Sequence, residues 1–234
     1  MHLRFSEFGH EYESYSFGYT VHGAREAGDN LTDLYAQGFL PYSSIGVDPN
    51  LFYMSRSVRV PVGIHTPSSE NRRILKKFND QFNCTYLEGD ELKASPSFRA
   101  LMLAYFAERH GTDIMPPERL EQILKRDIPL RAAEYRHNDV PVAYVLEVVE
   151  GSFLHYWYSC YDLTHANGSL GMWLMLDAIR RAQEEHREYV YLGTAYGEKG
   201  RYKTNIAPLE FWDGNTWNSD SALLSQLMKK DAVD

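Results

Sequence analysis

The chain has 234 residues, 44% of them apolar and 24% charged, which is enough for a buried core as one large domain or two small ones. Its net charge of -8 argues against a protein wholly devoted to nucleic acid, which would carry a basic surface. No apolar run approaches the roughly 18 residues of a membrane span. The first twenty residues hold Arg4, Glu7, Glu11 and Glu13 rather than a signal-type apolar block, so a cytoplasmic protein without membrane contact is expected. Cys84 and Cys160 are the only cysteines, too few for a disulfide framework and without metal-site spacing.

Along the chain, Leu31 to Gln37 reads as a short helix stopped by Gly38. LFYMSRSVRVPV, residues 51–62, reads as one strand in which Val58, Val60 and Val62 share a face and Arg59 turns to the other. Thr66-Pro67 starts a helix whose buried side is Ile74, Leu75 and Phe78, leaving Arg72, Arg73, Lys76 and Lys77 outward. Residues 51–80 hold six basic side chains against two acidic ones, a local patch able to hold an anion on an acidic protein because near charges outweigh the total. Further helices are expected near Pro96–Arg109 and Pro117–Lys125.

In the second half, residues 142–161 read as two strands joined at Glu150-Gly151-Ser152, a tight hairpin signal. A helix follows over Asn167–Glu188, apolar nearly all round in LGMWLML and polar in RRAQEEHRE, so its start is buried and its end wet. Tyr189–Gly193 is a short strand, Asp213-Gly214 a two-residue hairpin turn, and the tail after Asp220 a terminal helix. This order resembles the C-terminal part of the GNAT-type acyltransferase fold, in which two central parallel strands splay apart and the acyl donor sits in the gap. An α+β fold is therefore expected, a mixed central sheet flanked by helices with a smaller N-terminal portion. Its segments are a β-rich portion over 1–66, a helical segment over 67–130, a catalytic core over 131–220 and a tail over 221–234. The gap would lie between Tyr156–Tyr161 and Val190–Gly193, facing the amides of residues 168–171, which suit an anion or a polarised carbonyl. Asn167-Gly168-Ser169 is equally readable as a plain helix cap.

Five segments together carry a closer resemblance: SRSVRVPV, PSSENRRILKK, Tyr105 with Glu108-Arg109-His110, SLGMWLMLDAIRRAQ with YVYLG, and YKTNIAPLE. In this order they resemble the arginyl-tRNA–protein transferases, over roughly residues 31 to 217. The resemblance implies an enzyme that moves arginine or leucine from aminoacyl-tRNA to the N-terminal amine of a protein with an acidic first residue, making a degradation signal. The chain departs from that family in lacking its N-terminal cysteine set; Ser55 stands where one of them is expected, and no metal is predicted.

For amine attack on an aminoacyl ester, much of the catalysis comes from holding two reactants in line. Lys203 is then a candidate to grip the tRNA 3′ phosphate or stabilise the oxyanion, Tyr202 to stack on the terminal adenine or relay a proton, and Glu210 to take the amine's proton. Arg59 is a candidate for the acidic acceptor side chain or the tRNA end, by bidentate pairing. Arg72, Arg73, Lys76 and Lys77 are candidates for the tRNA backbone, and Ser169, Gly171 and Gly193 for the donor. Each has a plain alternative: a solvated lysine, a packed tyrosine, an ion pair, an exposed helix face. Asp162 and His165 lie beside the gap without an identifiable partner, while His110 and His155 read as structural histidines. Tyr156, Trp157, Tyr158 and Tyr161 pack the sheet on one side and line a pocket on the other. The rival functions are an acetyl-CoA-dependent GNAT acetyltransferase, for which Asn167-Gly168-Ser169-Leu170-Gly171 is only a partial pyrophosphate loop, and a non-catalytic tRNA- or degron-binding module. No other cofactor is expected, and the oligomeric state stays open.

Overall fold

The structure is a computed structural model that describes residues 1–7, 19–165 and 168–231. The first sheet is built from β1 (His2–Glu7), β2 (Tyr19–Ala24), β3 (Phe39–Pro41) and β4 (Leu51–Met54), with α1 (Leu31–Ala36) between β2 and β3. Its order is β1-β2-β4-β3 and every pairing is antiparallel.

The single strand expected over residues 51–62 is two strands. A tight turn, with Ser57 N donating to Ser55 O at 2.7 Å, separates β4 from β5 (Ser57–Pro61), and β5 belongs to the other sheet. Alternation continues across such a bend, so period-two reading cannot see it. The sheet boundary thus falls at Ser55–Arg56, inside the β-rich span drawn over 1–66. The valines and Arg59 do take opposite faces of β5.

Next come α2 (Ser69–Lys77), β6 (Asn83–Glu88), α3 (Gly89–Ala94), α4 (Pro96–His110), α5 (Pro117–Leu124), β7 (Leu130–His137), β8 (Val140–Glu150) and β9 (Phe153–Tyr161). α2 begins two residues later than Pro67 suggests, because Ser68 Oγ caps the Asn71 amide at 3.1 Å. β6 and β7 carry no clean apolar alternation, and both lie outside the expected strands. Then follow α6 (Leu170–Glu184), β10 (Tyr189–Thr194), α7 (Gly197–Gly200), β11 (Glu210–Trp212), β12 (Trp217–Asn218) and α8 (Ser221–Lys230). The expected two-residue turn at Asp213-Gly214 is a four-residue connection; Asp213 Oδ1 accepts from the amides of Asn215 at 3.0 Å and Thr216 at 2.9 Å.

The second sheet runs β12-β11-β5-β10-β9-β8-β7-β6, and β9/β10 is its parallel pair. β8 shows how it is covered: Ala143 and Val145 enter one core with α2, α6 and α8, while Tyr144 and Leu146 enter another with α3, α4 and α5. Val148 joins Phe153 and Tyr191 in a third core under α1 and the first sheet. A strand buried on both faces between layers fixes its register strongly, since a one-residue slip would exchange its two faces. Fully buried Glu147 on β8 adds an anchor, pairing with Arg181 of α6 at 2.5 Å and Arg131 of β7 at 2.9 Å. The observed molecule is α+β, with the parallel pair at the centre of a mixed sheet.

Candidate active site

β9 and β10 pair only through Tyr189–Phe153, Val190–Leu154 and Tyr191–His155, then separate. Two local features open the fork. β9 bulges between the Tyr156 and Tyr158 pairings, where Trp157 has no partner on β8, and β10 reaches Gly193 at φ +77°, a conformation that suits glycine. The gap thus falls close to where the sequence expected it.

Two chambers meet at this fork. The sheet-side chamber, about 280 Å³, is walled by the first sheet and its following loop (Tyr42, Ser43, Tyr53), by α4 and α5 (Phe106, Arg119), and by β9 residues His155 to Ser159. The α7-side chamber is lined by Tyr105, Arg109, His110, Tyr161, Tyr196 and Lys199. Tyr105, His110, Thr194, Tyr202 and Lys203 line both. Among the described residues, neither lining contains an Asp or Glu, on a chain whose net charge is -8.

Lys203 sits in a 3-10 turn, Arg201–Asn205, directly after α7. The turn packs back on the end of β10, and Lys203 Nζ donates to Thr194 O at 2.5 Å. Burial disfavours the ammonium and pushes its pKa down to about 8. Tyr202 beside it is exposed, its ring centroid 5.8 Å from the amine. The structure therefore brings Tyr202, Lys203 and Gly193 together at the junction of the chambers.

His155 is buried under the same junction. Its Nδ1 is 2.8 Å from the Tyr35 hydroxyl, while Nε2 has no hydrogen-bond partner among the described residues. Burial, and secondarily the Lys203 charge, push its pKa down to about 3, so the ring is neutral. His110 is also held below its ordinary value, first by burial and then by the charges of Lys199, Arg119 and Arg109. These two histidines, read from sequence as structural, face the chambers.

Several expected site residues lie elsewhere. Arg59 Nε donates to Glu210 Oε2 at 2.7 Å, and the guanidinium is stacked 3.8 Å from the Tyr189 ring centroid and 4.2 Å from that of Trp217. Antiparallel β5/β11 pairing sets the two residues opposite each other, so each occupies the other's charge. Neither lines a chamber; Glu210 is an ion-pair partner rather than a base poised beside an amine. Arg72, Arg73, Lys76 and Lys77 are exposed on α2, which packs on α6, and none lines a chamber. Arg73 pairs with Glu70 at 2.7 Å and Arg72 donates to Pro67 O at 2.7 Å. At the start of α6, Ser169 caps nothing with its side chain, and a Cβ on Gly171 would lie 3.4 Å from the Tyr161 ring. Asp162 Oδ1 accepts from Thr164 N and Oγ1 at 2.8 and 2.7 Å, shaping the turn after β9. Asn167 and the His165 side chain lie outside the described residues. Burial raises both thiols, Cys84 to about 11, so neither suits a nucleophile.

Sequence reading passed over Arg119, Ser43 and Lys199, and used Arg109 only within a motif. The one signal for Arg119 was its position four residues before buried Ile123 on α5, which sets a charge beside the apolar stripe. Ser43 and Lys199 reach the site through loop and turn geometry that no periodicity encodes.

A family model described as the acetyltransferase (GNAT) domain matches residues 69–204. An aspartate/glutamate leucyltransferase of Pseudomonas fluorescens is 30% identical over 169 residues, 68% of this chain and 68% of that protein. One of the same name from Caulobacter vibrioides is 28% identical over 176 residues, covering 71% of this chain. The chain spans 63% of the length of that relative. Among solved structures, L-PGS from Bacillus licheniformis is 12% identical with a TM-score of 0.45, covering 59% of this chain and 44% of that one.

Proposed function

The chain belongs to the GNAT-domain family and to the family of the aspartate/glutamate leucyltransferases, and from that premise we propose that it moves a leucyl group from aminoacyl-tRNA to the free α-amine of a protein beginning with aspartate or glutamate. The product is a degradation signal, and the reaction belongs in the cytoplasm, where charged tRNA resides. One observation carries the reading: at the fork of the parallel strands, two chambers lined with cations and aromatic rings, and with no carboxylate among the described residues, meet at a buried lysine. The family resemblance left arginine or leucine open as the cargo. A lining without carboxylates among the described residues favours leucine, because a second guanidinium among Arg119, Lys203 and His110 would lack a counter-charge there.

The α7-side chamber suits the tRNA end. Tyr105, Tyr161, Tyr196 and Tyr202 offer faces for a base, and Arg109 and Lys199 attract phosphate. Attack forms a C–N bond at the ester carbonyl and breaks the bond to the ribose oxygen, which leaves with the proton that the amine loses. The transient oxyanion is met by Lys203. With a pKa of about 8, this group is ammonium over free amine by roughly ten to one at pH 7. The acceptor α-amine titrates at about 8, so a usable fraction is already neutral and a strong base is not required. Binding and alignment supply the rest.

The test is transfer of labelled leucine and labelled arginine from charged tRNA to peptides beginning with Asp, Glu, Lys or Ala. Leucyl transfer to the acidic peptides, cut about 10²- to 10³-fold by Lys203→Met, is the expected result. A folded protein that ignores charged tRNA but acetylates peptides from acetyl-CoA would replace this reading with that of an acetyltransferase.

A further inference from the structure

Arg119 is held in the sheet-side chamber by neutral groups. Its Nη1 donates to Ile114 O at 2.8 Å and its Nη2 to Ser43 Oγ at 3.3 Å. Ser43 Oγ in turn lies 2.6 Å from the Tyr158 hydroxyl. Nε is buried without a hydrogen-bond partner, and no ion pair to Arg119 occurs among the described residues. The comparable interior arginines are matched: Arg59 by Glu210, Arg131 and Arg181 by Glu147, Arg56 by Asp231. Arg126 also lacks a carboxylate, but it is tied to the carbonyls of Tyr42 at 2.6 Å and Leu51 at 2.7 Å and lines neither chamber. Arg119 is therefore a fixed cation in a cavity, with one half of a salt bridge missing. A group of this kind is held ready for a carboxylate, which guanidinium binds in bidentate fashion.

On the reading that the chain is a leucyltransferase acting on acidic N-termini, we infer that Arg119, supported by Ser43 and Tyr158, binds the side-chain carboxylate of the acceptor's first residue. Outside the residues that line both, the α7-side chamber has two cations, Arg109 and Lys199, and suits a polynucleotide; the sheet-side chamber has one, Arg119, bonded to Ser43 beside Tyr158, and suits one carboxylate. Lys203, lining both, then lies between the acceptor and the donor. Arg119 selects the acceptor and takes no part in bond making.

The experiment compares kcat/KM for matched peptides beginning with Asp or Asn, and with Glu or Gln, at saturating leucyl-tRNA, in wild type, Arg119→Gln and Arg119→Lys. Wild type should prefer each acid over its amide. Arg119→Gln should shrink that preference about ten- to a hundredfold, chiefly through the acceptor KM, and Arg119→Lys, which keeps the charge without the fork, should shrink it less. If Arg119→Gln does not fold, Arg119→Lys decides, read against thermal melts. An acid-to-amide ratio within twofold of wild type in the folded variants overturns the assignment while transfer itself stands. So does a uniform loss on all peptides with a raised KM for leucyl-tRNA, which would give Arg119 to the tRNA. Wild type inert on every peptide would instead sink the transfer reading on which the assignment rests.

Discussion

Burial makes Lys203 costly to keep charged. In the unfolded chain such an amine titrates at 10.5, in the folded chain at about 8. Between these values the unfolded chain binds more protons, so stability rises with pH from about 8 to 10.5, and the full penalty applies below 8. At 1.36 kcal/mol per pH unit that penalty is about 3 kcal/mol. Lys203→Met is therefore expected to stabilise the fold by roughly 2 kcal/mol at pH 7, with the gain shrinking toward pH 10.5, while transfer collapses; urea titrations at the two pH values read it. Glu210→Gln should do the reverse. Leaving Arg59 without its partner costs about 2 kcal/mol, but the folded variant should keep kcat within a few fold, whereas a lost general base would cost about 10²-fold or more.

At the scale of elements, the fork depends on how β10 ends and how α6 begins. Gly193→Ala forces a side chain into φ +77°, and its methyl would meet Lys203 Nζ at 3.7 Å, an ordinary contact. Backbone strain of about 1 kcal/mol should lower the denaturation midpoint, and transfer should fall further because Thr194, the next residue, holds the Lys203 amine. Gly171→Ala is expected to act oppositely. It lies inside α6 with 3.4 Å to Tyr161, and replacing a helical glycine gains up to about 1 kcal/mol. Full stability with abolished transfer in Gly171→Ala would return the donor to the start of α6.

Across the whole molecule, the first sheet contributes both stability and a wall of the candidate site. Tyr35 of α1 stacks on Phe153 at 4.1 Å between centroids and bonds His155, so the small sheet is anchored on the strand that forms the fork. It also supplies Tyr42 and Ser43 to the chamber wall. The net charge of -8 repels polynucleotide at long range, so on the proposed function the cations at the fork would have to bind tRNA locally. With Arg109, Lys199 and Lys203 near phosphate, log affinity for leucyl-tRNA should fall against log salt with a slope of about -2. Arg109→Ala with Lys199→Ala should flatten it toward -1 in a filter-binding titration.

How much of this was legible in the sequence depends on the range of the interaction. The helices α1, α2, α4, α5, α6 and α8 followed from apolar spacing and from start and stop signals such as Pro67 and Gly38, and the β8/β9 hairpin from Gly151, because these signals act over a few residues. The motif around Tyr202 and Lys203 marked a loop that the fold brings to the junction of the two chambers. β6 and β7 were invisible, since their pairing is set by neighbours distant in the chain. The split of β4 from β5 was hidden by an alternation that runs through both. Whether an arginine is free or already matched is a tertiary property: Arg59 and Glu210 are 151 residues apart, and strand pairing alone brings them together. Arg119, undistinguished in the sequence, became the candidate carboxylate site because the fold gives it the Ile114 carbonyl and the Ser43 hydroxyl in place of an acid.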